Sequence, residues 1–182
     1  MRCFIAVEPS TGVRKQLAGL LSRLRDTGVP ARWVAADNLH LTMKFLGHIE
    51  PETVAAVEEV MHRVSAGQAP FDLRLQDFGF FPPRGRPRIL YIGVDQRQRL
   101  QQLAERLERD LTGLGFPPEG RFAAHITLAR LKGTENLPQL KALLDQTRLQ
   151  GRFPVTELAL FESLLGPAGA QYRLLAKATL RD

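Results

Sequence analysis

The sequence predicts an α/β (α+β) fold in which two similar lobes face each other across a cleft, and three observations predict it. Apolar residues recur at helical spacing in four segments and alternate or run together in the segments between them. The pattern His-x-Thr occurs twice, as His40-Leu41-Thr42 and His125-Ile126-Thr127. The offset of 85 residues that superposes these two patterns also places Ile5 on Leu90 and Val7 on Ile92, a faint internal duplication that reads strand–helix–strand–helix–strand twice.

The first half opens with RCFIAVE at 2–8, an apolar run of strand length. Ser10 then caps a helix whose inner stripe is Val13, Leu17, Leu20, Leu21 and Leu24, and Gly28 and Pro30 end it. Residues 38–47 alternate as a strand, Pro51 and Glu52 open a helix facing inward through Val54, Val57, Met61 and Val64, and 71–80 is a further strand. The second half repeats the order: RILYIGV from Arg88, a helix striped by Leu100, Leu103, Leu107, Leu111 and Leu114, and a strand RFAAHITLARL. A helix near 137–146 carries Leu137, Leu140, Leu143 and Leu144, and strands at 153–163 and 171–180 follow, joined by a Gly/Pro turn. A chain of 182 residues arranged this way is expected to form one two-lobed domain over 1–182.

Composition narrows the function. The apolar run Cys3–Val7 stops at Glu8, too short for a signal-peptide core or a membrane span. Cys3 is the lone cysteine, so no intrachain disulfide can form and a thiolate metal site lacks a second sulfur; a reducing cytoplasm is the expected location. The net charge of +6, carried mostly by arginine, favours phosphate-bearing partners, because a guanidinium binds phosphate through two parallel hydrogen bonds.

Alternation in a strand places His40 with Thr42, and His125 with Thr127, on one face, against Leu41 and Ile126 on the other. An imidazole exchanges protons near neutral pH, and a hydroxyl beside it donates to a phosphate oxygen. Two such pairs across a cleft can bracket one phosphorus: a neutral histidine takes the proton of an attacking water and a protonated one supplies the leaving oxygen. That division of labour suits a strained cyclic phosphodiester and needs no metal. His48 and His62 lack a threonine partner and are expected to face solvent. By the same alternation Lys44 shares the face of His40, while Trp33 and Phe45 are expected to pack in the core. The stretch Phe80–Arg88 (FFPPRGRPR) mixes aromatics with arginines in a loop suited to RNA.

The stretches RCFIAVE, RWVAADNLHLTMKFLG, RPRILYIGV, HITLAR and VTELALFES with the following Tyr172 together resemble the two-histidine (2H) phosphoesterase superfamily. Within it they are most similar to the RNA 2′,3′-cyclic phosphodiesterase family historically called 2′-5′ RNA ligase, and the resemblance covers essentially the whole chain. It implies lobes built of mostly antiparallel sheet with helices on their outer faces, and an active site in the cleft between them. It further implies His40 as proton donor, His125 as proton acceptor, Thr42 and Thr127 on the phosphate, and a 2′-phosphate product with the 3′ oxygen expelled, possible reversal being a 2′-5′ ligation. Arg130 is implied to contact the phosphate or nucleotide; since strict alternation turns it away from His125, a bulge or the strand end must reorient it. No cofactor, metal, membrane or obligate protein partner is expected, and RNA ends bearing a 2′,3′-cyclic phosphate are the expected substrate. Two other readings stand beside this one: a phosphodiesterase for a small nucleotide such as ADP-ribose cyclic phosphate, and a nucleotide-binding module without turnover.

Overall fold

Cys3–Val7 are all buried, and a strand with no exposed side needs cover on both faces. Cys3, Ile5 and Val7 join the main core on one face, while Phe4 and Ala6 join a smaller cluster with Ala159 and Phe161 on the other. The computed structural model describes residues 1–167 and 169–182, and builds outward from this strand, β1 (Arg2–Val7). Helix α1 (Thr11–Arg25) begins where Ser10 Oγ accepts the Val13 N–H at 3.3 Å, the expected cap, and its five inner residues are all buried. The strands β2 (Ala31–Trp33), β3 (Leu41–His48), β4 (Phe71–Phe81), β5 (Ile89–Val94), β6 (His125–Leu131), β7 (Arg152–Val155), β8 (Glu157–Gly166) and β9 (Gly169–Thr179) complete the sheet. The remaining helices are α2 (Thr53–Ser65), α3 (Arg97–Thr112) and α4 (Leu137–Gln146).

Eight of the nine strands follow one path, β7-β4-β5-β6-β3-β1-β8-β9, and β2 pairs with β6 beyond the point where β3 leaves it. Every strand pairing is antiparallel. The expected two lobes are the halves of this curled sheet, β6-β5-β4-β7 and β3-β1-β8-β9, joined through a single register pair, Leu41 opposite Ile126. These two residues also correspond under the offset of 85, so the pseudo-two-fold axis runs through the seam. The inner residues of all four helices lie in the main core with Ile5, Leu41, Ile92 and Ile126, which puts the helices on the sheet's outer face and leaves the concave face open.

Several sequence expectations needed correction. The expected strand 153–163 is two strands: the chain leaves β7, which pairs with β4 (Phe71 opposite Val155), and crosses at Thr156 into β8, which pairs with β1 (Phe4 opposite Phe161). β4, which follows the helix of the first half, lies in the lobe of the second. The duplicated halves therefore exchange their third strands, a swap that local periodicity does not record. β2 had no sequence signal, and the strand at 38–47 starts only at Leu41, after a 3-10 turn at Ala36–Asn38. RFAAHITLARL is strand only from His125, α3 ends at Thr112 so that Leu114 is exposed, and the Gly/Pro turn before β9 includes Ala168, which lies outside the described residues.

The most consequential departure is in β3. Lys44 lies opposite Ile5 and Thr42 opposite Ala6, so Met43 is an extra residue, a bulge. It reverses the alternation beyond Thr42, and Lys44 turns away from His40 into the core side, where it is 2% exposed. There its Nζ donates to the Pro117 carbonyl at 2.8 Å and pairs with Glu108 of α3 at 3.0 Å, tying a strand from the first half of the sequence to a helix from the second. Glu108 also accepts the Glu119 N–H, which pins the segment leading to His125. Removing one partner of such a pair strands the other charge. Lys44→Ala is expected to lower stability by about 3 kcal/mol, read as a lower urea midpoint at unchanged m-value; a midpoint within experimental error of the parent would refute the buried role.

Candidate active site

The first His-x-Thr pattern is held from three directions. The Arg14 guanidinium donates to the carbonyls of Asp37 (2.6 Å) and Ala36 (3.3 Å), fixing the 3-10 turn, while its other end pairs with Glu8 at 3.0 Å. The Asn38 side-chain amide donates to the Ala170 carbonyl at 2.6 Å, tying the turn to β9. With the backbone so placed, His40 Nδ1–H donates to the Asn38 carbonyl at 2.7 Å. A carbonyl can only accept, so the neutral ring carries its lone pair on Nε2, which lies 2.9 Å from Thr42 Oγ1.

The second pattern repeats the device. His125 Nδ1–H donates to the carbonyl two residues before it, that of Ala123, at 2.6 Å, again leaving Nε2 to accept. Both imidazoles thus have the same tautomer for the same reason. Thr42 and Thr127 follow on the concave face, their neighbours Leu41 and Ile126 being fully buried on the other. The seam pair brings the two patterns side by side, and the charge of His125 is close enough to lower the pKa of His40.

Each ring rests on aromatics. Phe4 lies 4.7 Å from the His40 ring and Tyr172 meets it edge-on at 5.3 Å. His125 is met edge-on by Phe81 at 5.1 Å and by Tyr91 at 5.4 Å, those two being stacked on each other at 4.3 Å. Gly79, opposite Tyr91 across β4–β5, makes this possible: a Cβ there would collide with the Tyr91 ring. Sequence reasoning missed Arg14, Asn38, Phe81 and Tyr91 as supports, since their roles depend on contacts between distant segments; Tyr172 entered only through the family resemblance.

The surroundings set the proton affinity. Burial pushes the His40 pKa below the ordinary histidine value; the Asn38 carbonyl opposes this, and the charges of Arg14 and His125 add to it. Burial likewise lowers His125, opposed by the Ala123 carbonyl. Burial raises the pKa of the Tyr172 hydroxyl, against the charges of Arg130 and Arg2.

Arg130 reaches this face by the route that alternation required. Ala129 lies opposite Leu90 and Thr127 opposite Tyr91, so Leu128 is a bulge in β6 that corresponds, under the offset of 85, to Met43 in β3. Leu128 and Ala129 are both buried, and Arg130 returns to the face of Thr127, exposed. The residue matching Arg130 in β3 is Phe45, which is 54% exposed rather than in the core, its ring 6.3 Å from Phe4. Trp33 does pack against the core, and His48 and His62 are exposed, the latter 3.6 Å from Glu58. Among the described residues no three His, Cys, Asp or Glu side chains converge on a point where a metal ion could be held, and no helix is long and apolar enough to cross a membrane.

Comparison with known proteins finds relatives that match over nearly the whole chain. An RNA 2′,3′-cyclic phosphodiesterase of Thermotoga maritima is 32% identical over 180 residues, covering 96% of this chain and 93% of that protein. One from Aeropyrum pernix is 35% identical over 167 residues, covering 87% and 94%. Among solved structures, a protein of Thermus thermophilus superposes with a TM-score of 0.83 at 31% identity, covering 100% of this chain and 98% of that one. E. coli LigT complexed with 3′-AMP superposes with a TM-score of 0.80 at 28% identity and the same coverage. The family model of the 2′-5′ RNA ligase superfamily matches residues 13–167, and with two duplicated His-x-Thr strands meeting at one seam, the chain belongs to that superfamily.

Proposed function

We propose that this protein hydrolyses RNA ends bearing a 2′,3′-cyclic phosphodiester to 2′-phosphomonoesters, with His40 as proton donor and His125 as proton acceptor. The observation that carries the reading is the matched presentation of two imidazoles, each oriented by a carbonyl two residues earlier and each with Nε2 available on the concave face. A module that only bound nucleotides would have no use for a matched donor and acceptor.

In the reaction, neutral His125 takes a proton from water through Nε2 as the oxygen attacks phosphorus. Protonated His40 delivers its Nε2 proton to the departing 3′ oxygen, so the ring opens in line and the phosphate stays on the 2′ oxygen. Thr42 and Thr127 donate to the non-bridging oxygens; Thr42, which faces His40 Nε2 at 2.9 Å, turns its hydroxyl to the phosphate when substrate enters. Arg130 lies on the same face with its guanidinium available to the anion. The attack replaced by a 5′-hydroxyl gives a 2′-5′ linkage by the same proton transfers. Relatives of this chain bear the name RNA 2′,3′-cyclic phosphodiesterase, which supports RNA as the polymer, and the sole cysteine, Cys3, is a buried free thiol, in keeping with a reducing cytoplasm.

The direct test is incubation with an oligoribonucleotide ending in a 2′,3′-cyclic phosphate, followed by chromatography against 2′- and 3′-phosphate standards. A 2′-phosphate is expected, formed equally after exhaustive chelation; a predominant 3′-phosphate would reverse the sugar's orientation, and loss of activity with EDTA that zinc or magnesium restores would overturn the metal-free mechanism. His40→Ala and His125→Ala should each reduce kcat by about 10³-fold. Thr42→Ala or Thr127→Ala should cost roughly 10- to 100-fold, one charge-assisted hydrogen bond each. Near-parental kcat in either histidine variant would refute the pair.

The pH profile follows from the burial of both rings. Since kcat/KM reports the free enzyme and both histidines there have lowered pKa values, its bell should peak on the acid side of the ordinary histidine value. The bound phosphate anion favours imidazolium, raises both values, and should move the kcat maximum toward alkaline pH. A kcat/KM that climbs steadily to high pH, as attack by free hydroxide would give, contradicts the scheme.

A further inference from the structure

Beyond Thr127 the concave face continues into a pocket of about 430 Å³ lined by Arg86, Arg88 and Arg130 over Ile89 and Leu131. A fourth guanidinium belongs to the same neighbourhood. Arg32 of β2 stands directly opposite Arg130 in the antiparallel register, and residues so opposed project to the same face. Like charges in direct cross-strand opposition destabilise a sheet. Among the described residues no carboxylate pairs with any of the four, and the one hydrogen bond their side chains make is from Arg86 to the Lys132 carbonyl at 2.9 Å. Three guanidiniums lining one pocket, with a fourth beside them on β2 and no paired carboxylate, form an arrangement completed by a ligand that brings negative charge.

The pocket extends beyond the place of the reacting phosphate, with Arg130 at the junction. The bulge at Leu128 sets Thr127 to Arg130 against only two residue steps of β5, roughly 7 Å, and Arg86 and Arg88 lie farther on, on the segment between β4 and β5 that leads into Ile89. Arginine forks match phosphate bidentately, and Ile89 and Leu131 provide an apolar floor against which a sugar can pack. The opposite lobe breaks the duplication in a complementary way, because the counterpart of Arg130 there is the exposed ring of Phe45. One side of the cleft thus offers charge and the other an aromatic surface.

Resting on the hydrolase reading above, we propose that Arg86 and Arg88, beside Arg130, form a second phosphate subsite, which holds an internucleotide phosphate of the strand carrying the cyclic end. The enzyme then acts on oligonucleotide ends in preference to single nucleotides.

The test compares kcat/KM for a nucleoside 2′,3′-cyclic phosphate with that for a dinucleotide ending in the same cyclic phosphate. The dinucleotide is expected to be favoured by roughly tenfold, mainly through KM, as one charge-assisted phosphate contact would give. The Arg86→Ala/Arg88→Ala variant should lose most of that advantage while its mononucleotide kcat/KM stays at the parental value, which also reports that the fold is intact. Its dinucleotide kcat/KM should fall with salt less steeply, by about 0.7 in log–log slope, the value for one neutralised phosphate on a single strand. Arg23→Ala/Arg25→Ala, which removes the same charge from exposed positions on α1, should keep the full preference. Equal rates on both substrates in the parent, a preference that survives the pocket substitutions, or one lost equally in the α1 variant would overturn the subsite. Turnover of neither substrate would instead overturn the hydrolase reading.

Discussion

One residue pair, Leu41 against Ile126, joins the two halves of the sheet, and the geometry of the cleft depends on it. Both side chains are fully buried on the helix side, so the residues before and after them are obliged to face the concave side. His40 and Thr42 flank one member of the pair and His125 and Thr127 the other. A one-residue slip of either strand at the seam would turn that strand's His and Thr inward and place Leu41 or Ile126 in the cleft. The apolar cost of exposing such residues, roughly 2 kcal/mol for each, is what holds the four polar groups in register.

The alternation that delivers these groups then has to be interrupted. Met43 and Leu128, at corresponding places, each insert one residue and reverse the faces beyond it. In β6 the reversal brings Arg130 to the cleft. In β3 it brings Phe45 there and sends Lys44 under the sheet to Glu108 and Pro117. A bulge repeated in both halves thus has different chemical results, because the residues that follow it differ. The pseudo-symmetry is kept at the two imidazoles and broken beyond the bulges, which in the proposed reaction suits two proton carriers and a substrate with unlike ends.

Support for the histidines is also unlike on the two sides. His40 sits between Phe4 and Tyr172, with Arg14 holding its turn, and His125 leans on the Phe81–Tyr91 stack. Burial, and to a smaller degree the cationic Arg14, oppose protonation of His40, and a bound anion would favour it. In the proposed reaction, anion binding and protonation of His40 are thereby coupled.

Much of this was legible in the residues alone: the helices α1, α2 and α4, the core stripes, and the paired His-x-Thr patterns that share a face, since helical period, strand alternation and a repeated motif are local properties of a chain. Alternation also exposed its own limit at Arg130, where the family role and the strand face disagreed and a bulge was required. Sequence could not locate that bulge, nor anticipate the one that buries Lys44 and exposes Phe45, because an extra residue is defined only against the partner strand. It read 153–163 as one strand for the same reason, the partners of β7 and β8 lying at opposite ends of the sheet. Which residues are apolar, polar or basic was thus determined by the sequence, while the lobe each strand joins, the face each side chain takes beyond a bulge, and the gathering of Arg32, Arg86, Arg88 and Arg130 were decided by pairing between segments far apart in the chain.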